Sequence, residues 1–597
     1  MVICKVDKSK NIVIYDNKTY NQKLETEFSN LKQFRRLGRN PLKTNQRDLN
    51  EILKNYKRYV SKETFKSMTP IPSLKRSYGL PKLHKDNNPM RPIISSRNSL
   101  GSGIESYLLP ILSKFKPKFK FRLENMSQFK NEFLDIRDQI NLDEHTIVSY
   151  DVSSMFTCLP IFEIIEFICE EIYKSPRDFF EREEPENNLS CDWPPKHIFK
   201  ELLKSVLTRF TSFHSKNHIY KQISGCSMGS KLSCLLADIF MNHKLTHIFS
   251  NEKALGNVIY ISRYVDDIIC ICRKNKVNSI FKKLNSIHSN IGFTMEHMEN
   301  NTIRFLDCEI KLFGDSFELI HFEKESARDF LPNFRTSVTP KAQKINLLTG
   351  ALYRCFNAST CEQTLNIGLD RIKSKFIKNG YPISLVNDKI DFMIHHKFKP
   401  PKRDDEPDTI HYFRANFTDF RCDKIANKMR SLILNLFPKF LLRFAFKQIK
   451  LEDFIHKRLK HQFDMMEKSG LVYEFSCPCN EKYIGETRRS LGVRSKEHAM
   501  TDKNSAIFIH IRSCPKFLEK FDEYWSEPNT KYSNLSHNKR MGLFTPKFFT
   551  ILKSNLSNES DRKITEAILI KLFNPSLNVK HATDGSHRKP WNLTLPI

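Results

Sequence analysis

The chain has 597 residues, 40% of them hydrophobic, and its 97 lysines and arginines against 67 aspartates and glutamates give a net charge of +30. This length predicts several domains or one large multilobed domain. The excess of positive charge argues against a typical small-molecule enzyme and indicates a polyanionic partner. A merely soluble basic protein is the alternative. The 15 cysteines are scattered and odd in number, which is typical of a reducing compartment.

No membrane association is expected from the sequence. No stretch approaches the ~18 consecutive apolar residues of a membrane span, and SLILNLFPKFLLRFAF (Ser431–Phe446) is interrupted by Pro438, Lys439 and Arg443. The first residues, MVICKVDKSKN, lack the apolar core of a signal peptide.

The first patterned segment is YGLPKLHKDNNPMRPIISSRNSL, from Tyr78 to Leu100. It carries Lys85, Arg91 and Arg97, whose charged groups suit phosphate oxygens because arginine binds them in a bidentate manner. Surface charge without a ligand is the alternative, and it is nearly as strong for Lys85.

Three aspartates follow in two β-rich runs. HTIVSYDVSSMFTCLP places Asp151 at the end of a predicted strand, and ISRYVDDIICICRK places Asp266 and Asp267 within an apolar stretch. Because neighbouring side chains of a straight strand point to opposite faces, we predict a hairpin with the aspartate pair at its tip. Strand pairing would then bring Asp151 beside Asp266, and the three carboxylates would hold two Mg²⁺ ions. An ordinary hairpin turn is the alternative for a DD pair taken alone.

The order of these segments is more specific than any one of them. Between the two runs, QISGCSMGSKLSCLLADIFM (Gln222–Met241) has Gly225 and Gly229 ahead of a predicted helix. The series resembles motifs A, B and C of reverse transcriptases, and Tyr78–Leu100 resembles their fingers hairpin. NIGFTMEHMENNTIRFLDCEI (Asn290–Ile310) resembles motifs D and E, which lead into the thumb.

The resemblance implies roles for individual residues. Lys85 and Arg91 would reach the triphosphate, and Arg97 would contact the template. Gln222 and Gly229 belong to the motif in which glycines let the backbone approach the nascent base pair. Phe156 would be the steric gate that excludes a ribose 2′-hydroxyl and so selects deoxynucleotides. An ordinary core phenylalanine is the alternative.

The residues of these motifs resemble those of Penelope-like retroelement polymerases, which are relatives of the telomerase catalytic subunit. The matching elements are PKLHK…RPI, MGS…LS and FLDCEI. Motif B usually reads MGSPLSP in that family, whereas Lys231 and Cys234 stand at the proline places here. The segment from Lys5 to Tyr20 resembles an early element of these proteins, which implies that much of their N-terminal extension is absent.

Two polar segments interrupt the chain. SPRDFFEREEPENN (Ser175–Asn188) is predicted to be an insertion loop, and KFKPPKRDDEPD (Lys397–Asp408) to be a linker, after which the composition of the chain changes. From about Asp423 to Gln462 the apolar spacing predicts basic helices, and after Gly470 short strands are expected. The predicted domains are fingers and palm at 1–310, thumb at 311–400, a basic helical connector at 401–466 and a C-terminal domain at 467–597.

The C-terminal domain carries a second constellation. Tyr473 and Tyr483 lie in two predicted strands, Arg494 and His498 share one face of a helix, and Glu566 lies in a later amphipathic helix. Tyrosine, arginine and glutamate could provide a base, a phosphate contact and a metal ligand for phosphodiester hydrolysis. A small α/β module whose tyrosines only pack is the alternative.

This constellation resembles a GIY-YIG nuclease domain, with LVY in place of GIY and the YIG intact. The resemblance implies that Glu566 binds one divalent metal, Arg494 contacts the scissile phosphate and Tyr473 or Tyr483 activates water. His498 and Asn578 match further motif positions, which implies a catalytic role for His498 and a substrate contact for Asn578. Related nucleases often carry a CCHH set, for which Cys477, Cys479, His510 and Cys514 are the candidate Zn²⁺ ligands here. Free cysteines in a reducing compartment are the alternative.

Together these resemblances predict an α+β right-hand polymerase followed by a helical connector and a small α/β nuclease. The expected activity is RNA-directed DNA synthesis with DNA nicking, by target-primed reverse transcription, in the nucleus after synthesis in the cytoplasm. The expected cofactors are two Mg²⁺ ions in the palm, one in the nuclease, and Zn²⁺. The expected partners are template RNA, target DNA and deoxynucleoside triphosphates, with the basic connector gripping RNA or DNA. A decayed, non-catalytic nucleic-acid-binding copy and a protein that retains only the nuclease are the alternatives.

Overall fold

The computed structural model describes residues 2–7, 12–69, 73–83, 85–180, 193–216, 218–323, 331–396, 409–437, 440–448, 465–526, 535–554, 556 and 558–579. The predicted linker at 397–408 lies outside the described residues, as does the part of the predicted insertion loop from 181 to 188.

The β-strands are distributed along the whole described chain. They are β1 (Val2–Lys5), β2 (Ile12–Tyr15), β3 (Phe34–Leu37), β4 (Lys75–Pro81), β5 (Met90–Ser95), β6 (His145–Ser153), β7 (Ser212–Ser215), β8 (His218–Gln222), β9 (Val258–Tyr264), β10 (Asp267–Arg273), β11 (Gly292–His297), β12 (Thr302–Phe305), β13 (Cys308–Phe313), β14 (Ser316–His321), β15 (Thr409–Phe417), β16 (Phe440–Gln448), β17 (Leu471–Ser476), β18 (Lys482–Thr487) and β19 (Phe549–Lys553).

The α-helices alternate with these strands. They are α1 (Asn17–Phe28), α2 (Leu42–Tyr56), α3 (Lys62–Met68), α4 (Ser102–Ser113), α5 (Met126–Ile136), α6 (Met155–Cys158), α7 (Ile161–Lys174), α8 (Pro176–Phe179), α9 (Lys196–Lys204), α10 (Ser233–Ala254), α11 (Val277–Asn285), α12 (Lys341–Asn357), α13 (Glu362–Lys378), α14 (Ile383–His396), α15 (Arg421–Leu436), α16 (Leu491–Met500), α17 (Ala506–Ser513), α18 (Pro515–Ser526), α19 (His537–Phe544), α20 (Glu559–Phe573) and α21 (Ser576–Val579).

The N-terminal region is built on a five-stranded sheet in the order β3-β8-β7-β4-β5. Strand β4 alternates buried and half-buried residues, as expected for a strand with one face on a core. It forms an antiparallel hairpin with β5 that pairs Leu80 with Arg91. The hairpin is held to α1 by Tyr20, whose hydroxyl accepts from the Gly79 N–H at 2.7 Å.

The palm is a four-stranded antiparallel sheet in the order β11-β6-β10-β9. The apolar, β-branched run of β10 is buried from Ile268 to Cys272, because α10 and neighbouring helices cover one face and α5 with β12–β14 cover the other. Both faces being covered explains why the two aspartates lie at the end of the strand and not within it.

Two smaller units follow the palm. Strands β12, β13 and β14 form an antiparallel sheet, and α12, α13 and α14 pack around their own apolar core, which includes Leu348, Ile372 and Phe376. Within the described residues, none of the helices has the length and apolar character that spanning a bilayer requires.

The connector differs from the prediction of helices throughout 401–466. Among the residues of this stretch that the structure describes, α15 is the one α-helix, and it joins two parallel, in-register strands, β15 and β16. The prediction of helix over Phe440–Gln448 was wrong because Leu442, Phe444 and Phe446 alternate with exposed residues and pack toward α15. Residues 449–464 lie outside the described residues.

The C-terminal domain has a three-stranded antiparallel sheet in the order β18-β17-β19, with α16 to α20 around it. Its core includes Leu471, Phe475, Ile507 and Phe517. The domain touches the N-terminal region: Lys66 in α3 forms a 3.0 Å ion pair with Glu559 at the start of α20, and Arg488 donates to the Thr69 carbonyl at 2.7 Å.

Candidate functional site

The palm brings together the three aspartates that the sequence singled out. Strands β9 and β10 form the predicted hairpin, and strand register pairs Asp267 with Asp151. One carboxylate oxygen from each of Asp151, Asp266 and Asp267 lies within 4.8 Å of the others. An all-oxygen donor set of this kind suits Mg²⁺.

The tip of the hairpin is held in a strained conformation. Val265 has a φ of 56°, a region that β-branched residues rarely occupy, and it immediately precedes Asp266. The guanidinium of Arg263, which is 1% exposed, donates to the Val265 carbonyl and forms a 2.8 Å ion pair with Asp238 of α10. Arg263 and Asp238 therefore support the turn that positions the aspartates, and neither was predicted from the sequence. Their positions as charged residues within the apolar runs ISRY and LLADIF could have indicated a buried ion pair.

Phe156 lies on α6, directly after the strand that carries Asp151. It is half-buried and packs on the palm core, while its carbonyl accepts from the Cys226 N–H at 2.7 Å. Phe156 thus follows the strand that carries Asp151, and its backbone is hydrogen-bonded to the Gly-rich segment.

The two glycines of that segment lie tightly against other parts of the backbone. A Cβ on Gly225 would lie 2.4 Å from the Thr157 backbone, and one on Gly229 would lie 2.6 Å from the Ile94 carbonyl oxygen. On that side of each glycine the space is filled by the protein's own backbone, and the approach of their backbone to a nascent base pair stays a prediction. Gln222, also predicted to bind substrate, is buried, and its amide donates to the Ser224 carbonyl.

The fingers hairpin presents its cations unequally. Arg91 is half-buried, and its Nε donates to Asp7 Oδ2 at 2.8 Å. Lys85 and Arg97 are exposed. Lys82, which the sequence analysis passed over, lies at the end of β4, where burial and the neighbouring Arg91 lower its pKa. Two adjacent cations in a partly desolvated position form a better anion site than the exposed Lys85.

A buried network ties the hairpin to the helix of the Gly-rich segment. Glu105 pairs with Lys75 at 3.2 Å and accepts from Ser96 and from the Lys231 N–H. Lys231 replaces the expected proline without disturbing the start of α10. Cys234, at the second proline place, has an exposed side chain, and partial desolvation together with the charges of Asp238 and Asp266 raises the pKa of its thiol.

In the C-terminal domain, the two tyrosines meet over a glycine. Tyr473 of β17 pairs in register with Gly485 of β18, and a Cβ on Gly485 would lie 2.6 Å from the Tyr473 hydroxyl and 2.7 Å from the Tyr483 ring. Only glycine leaves room for both rings at this point. The pKa of Tyr483 is raised to about 12 by burial and by nearby Glu566.

His498 lies behind Tyr473. Its Nε2 is 2.7 Å from the Tyr473 hydroxyl and its Nδ1 is 2.5 Å from the Ser505 hydroxyl. Burial and the charges of Arg494 and Arg489 lower its pKa to about 3, so the ring is neutral. Tyr473 is 1% exposed whereas Tyr483 is half-buried, so of the two tyrosines Tyr483 is the one that solvent can reach.

Arg494 and Glu566 complete the arrangement. Arg494 donates to Asp502 at 3.0 Å, a partner that the sequence analysis missed. Glu566 accepts from the Glu486 N–H at 2.9 Å, and Arg562 pairs with the Glu486 carboxylate at 2.7 Å. Burial, and then the charge of Glu486, raise the pKa of Glu566 to about 7. A divalent cation beside Glu566 would favour the ionised carboxylate and so oppose this shift.

Asn578 has a structural contact where a substrate contact was predicted. Its side-chain amide donates to the Ile484 carbonyl and accepts from the Ile484 N–H, both at 2.8 Å. Its polar atoms are therefore occupied in holding the strand of the YIG sequence.

A sulfur-rich cluster lies at one end of this domain. Cys477 Sγ is 3.8 Å from Cys514 Sγ, Cys479 Sγ is 3.3 Å from His510 Nε2, and all four ligand atoms lie within 4.8 Å of one another. Tetrahedral zinc with bonds of about 2.3 Å to sulfur and about 2.0 Å to nitrogen places its ligand atoms about 3.5–3.8 Å apart. The four residues fit that geometry.

Comparisons with known proteins concern mainly the N-terminal half. Residues 83–299 match the family described as reverse transcriptase (RNA-dependent DNA polymerase). That part of the chain is a reverse transcriptase domain. Residues 335–391, which hold α12, α13 and most of α14, match an animal helix-turn-helix domain. No curated protein matches the chain.

Similar solved structures include polymerases from fungi and viruses. The telomerase of Candida albicans, in complex with a fragment of telomeric RNA, is 14% identical over 73% of this chain and 71% of that chain, with a TM-score of 0.40. The apo telomerase of Candida tropicalis is 12% identical over 66% of each chain, with a TM-score of 0.39. The RNA-dependent RNA polymerase of a human picobirnavirus is 10% identical over 64% of this chain and 80% of that chain, with a TM-score of 0.31. Scores this low support no conclusion about substrates.

Proposed function

We propose that the chain is a Penelope-like retroelement protein that copies RNA into DNA from a 3′-hydroxyl which its own GIY-YIG nuclease exposes. The observation that carries the proposal is the cluster of Asp151, Asp266 and Asp267 within a reverse transcriptase domain. Two Mg²⁺ ions bound there would activate the attacking hydroxyl and stabilise the departing pyrophosphate. The positive charge of these ions would also explain why an apolar hairpin ends in adjacent carboxylates.

The chain's own residues select and orient the nucleotide. Lys82 and Arg91 on the fingers hairpin would bind the triphosphate, with Lys85 and Arg97 further out for the template or its phosphates. Phe156, on the helix that follows the strand of Asp151, would exclude the ribose 2′-hydroxyl. The Arg263–Asp238 pair keeps the aspartate-bearing turn in place while these partners exchange.

The nuclease part of the proposal rests on the geometry around Gly485. Arg494, oriented by Asp502, would contact the scissile phosphate, and Glu566 would hold one Mg²⁺. Tyr483, being accessible, would take part in activating water, whereas the hydroxyl of buried Tyr473 is hydrogen-bonded to neutral His498. Zn²⁺ bound by Cys477, Cys479, His510 and Cys514 would fasten β17 to α17 and so support the strand that carries Tyr473.

The retained architecture opposes the two alternatives. A decayed copy, or one that keeps only the nuclease, would be expected to lose acidic ligands or the packing of the Gly-rich segment. Here the aspartates converge, and α10 begins normally despite Lys231 and Cys234. The proposed reaction requires template RNA, target DNA and deoxynucleoside triphosphates, and it places the protein in the nucleus.

The proposal is tested by two assays on the same preparations of full-length protein. Primer extension on an RNA template with Mg²⁺ and deoxynucleotides should be abolished by Asp266→Ala and unchanged by Asp315→Ala, an exposed aspartate of the β13–β14 turn. Wild-type protein that extends no primer would refute the polymerase, and full activity of Asp266→Ala would refute the metal site.

Plasmid nicking tests the second activity. Arg494→Ala should reduce nicking by about 10²–10³-fold, as loss of a preorganised charge contact does in comparable sites. Glu566→Gln should stop it, whereas Glu519→Gln, on the exposed face of α18, should not change it. Each nuclease variant should still extend a primer supplied in trans. Undiminished nicking by Glu566→Gln would refute the assignment of the metal ligand.

A further inference from the structure

In the unit formed by β15, α15 and β16, one face of the sheet is covered by none of the residues that the structure describes. The other face carries phenylalanines that pair across the two strands: the Phe413 and Phe444 rings lie 5.3 Å apart, as do those of Phe417 and Phe446. The helix lies on this side, since the Arg430 guanidinium of α15 is 5.8 Å from the Phe444 ring. Because successive side chains of a strand alternate, the residues between these phenylalanines point away from α15.

We name this uncovered side the open face, defined by Tyr412, Arg414, Asn416, Arg443 and Lys447. All five side chains are exposed, and Tyr412 is 62% exposed. Strand register pairs Tyr412 with Arg443 and Asn416 with Lys447, so the two rows of side chains are about 4.8 Å apart. Within the described residues, Arg414, Arg443 and Lys447 have no carboxylate partner.

We propose that the open face is a binding site for single-stranded nucleic acid, separate from the palm and from the C-terminal domain. Arg414, Arg443 and Lys447 offer unneutralised charge to a phosphate backbone. Tyr412 offers a ring on which an unpaired base can stack, and base stacking on aromatic residues is tolerant of sequence.

The chemistry of the face favours this partner over others. Arginine and tyrosine also occur at protein interfaces, but the centres of such interfaces are depleted of charge. Three cations on one face without a carboxylate partner among the described residues favour a polyanion. A duplex hides the faces of its bases, so an exposed ring favours a single strand. The proposal rests on the proposed function only in that the chain handles nucleic acid, and it requires activity at neither catalytic site.

The face is also anchored near the helices that follow the palm. Asp423, in the first turn of α15, accepts from the N–H of Lys341 at the start of α12, at 3.1 Å. The unit that carries the open face is therefore fixed beside these helices through α15, with the open face turned away from that helix, which suits the handling of template or displaced strand outside the palm.

The test uses full-length protein, a 20-nucleotide single-stranded RNA and a duplex of the same length. Tyr412→Ala should weaken binding of the single strand at least about fivefold and leave duplex binding unchanged. Arg414→Gln with Arg443→Gln should lower the slope of log affinity against log salt by about 1.4 for the single strand. The matched control is Lys424→Gln with Lys428→Gln, which removes the same charge from exposed positions of α15 and should leave the slope unchanged.

A second measurement distinguishes binding at the open face from binding at the many other basic residues of the chain. Single-stranded RNA carrying 5-iodouridine should cross-link to the peptide that contains Tyr412 in wild-type protein and in the Asp266→Ala variant. Absence of that cross-link together with wild-type binding by both open-face variants would overturn the proposal. Equal weakening of single strand and duplex, or a dimer in solution that Tyr412→Ala dissociates, would also overturn it. Wild-type protein that neither extends a primer nor nicks DNA would instead refute the proposed function.

Discussion

The Asp7 carboxylate lies 2.8 Å from Nε of Arg91, across 84 residues of sequence. The Asp7 N–H also donates to the Pro81 carbonyl at 2.9 Å, so the residue is fixed to the hairpin whose arginine it holds. Asp7 engages Nε and the Met228 sulfur accepts from Nη1 at 3.8 Å, so Nη2 is the guanidinium nitrogen that we expect to meet a triphosphate.

Loss of Asp7 should therefore affect nucleotide binding more than chemistry. We expect Asp7→Ala to raise the KM for deoxynucleotides at least about fivefold with a smaller change in kcat, since a charge-assisted hydrogen bond contributes about 1–2 kcal/mol. Asp7→Asn keeps an acceptor and should lie near wild type. Asp16→Asn, which preserves the cap of α1, is the control. An unchanged KM in Asp7→Ala, with a raised one in Arg91→Ala, would contradict this role.

Trimming Phe156 should relax the selection against ribonucleotides. With Phe156→Val, incorporation of ribonucleotides in primer extension should rise while deoxynucleotide incorporation continues, because ring bulk is what excludes the 2′-hydroxyl. Phe162→Val is a matched control, since Phe162 lies on the exposed side of α7. If ribonucleotide incorporation is the same in both variants, Phe156 serves only to pack the palm.

Gly485 should not tolerate a methyl group. In Gly485→Ala the new Cβ would collide with the Tyr473 hydroxyl and the Tyr483 ring, so nicking should be lost while primer extension is retained. Gly350→Ala is the control, because nothing lies within 4 Å of a Cβ at that helical position. Normal nicking by Gly485→Ala would show that the two tyrosines need not meet there.

The zinc site should be detectable without any activity assay. Elemental analysis of purified protein should give one zinc per chain, and Co²⁺ in its place should show the absorption bands of thiolate ligation in a tetrahedral field. Cys477→Ser or Cys514→Ser should abolish both signals, whereas Cys355→Ser, in the core beside α13, should not. Protein free of zinc with an unchanged thermal transition would remove the site.

Buried His498 should make the C-terminal domain sensitive to acid. Its pKa is lowered to about 3 in the folded protein, so below the unfolded value of about 6.5 the unfolded chain binds a proton that the folded chain does not. Stability should thus be fully present above pH 6.5 and fall by about 2 kcal/mol between pH 6.5 and pH 5. Hydrogen exchange in Leu471–Ser476, corrected for intrinsic rate, measures this. A His498→Gln variant should lose the dependence, and an equal slope in that variant would assign it elsewhere.

Local patterns predicted much of this fold. The hairpin at Asp266 and Asp267 and the helix after Gly229 form as expected, since periodicity and turn chemistry act over neighbouring residues. The strand Phe440–Gln448 alternates with a period of two, but its arginine and lysine allowed a helical interpretation. Patterns within one segment say nothing about which distant surface fills a space. That is why the contacts of Gly225 and Gly229, the Asp7–Arg91 pair and the clamp of Asn578 on Ile484 were not predictable.

The left-handed Val265 also bears on how the protein can be engineered. A glycine or asparagine would adopt its φ of 56° at lower cost, so the position would be an early choice in a programme to raise thermal tolerance. That gain would come from relaxing the turn that positions Asp266. Thermostable variants are therefore better sought at sites remote from the palm, such as the exposed apolar residues of α15, with Val265 kept as it is.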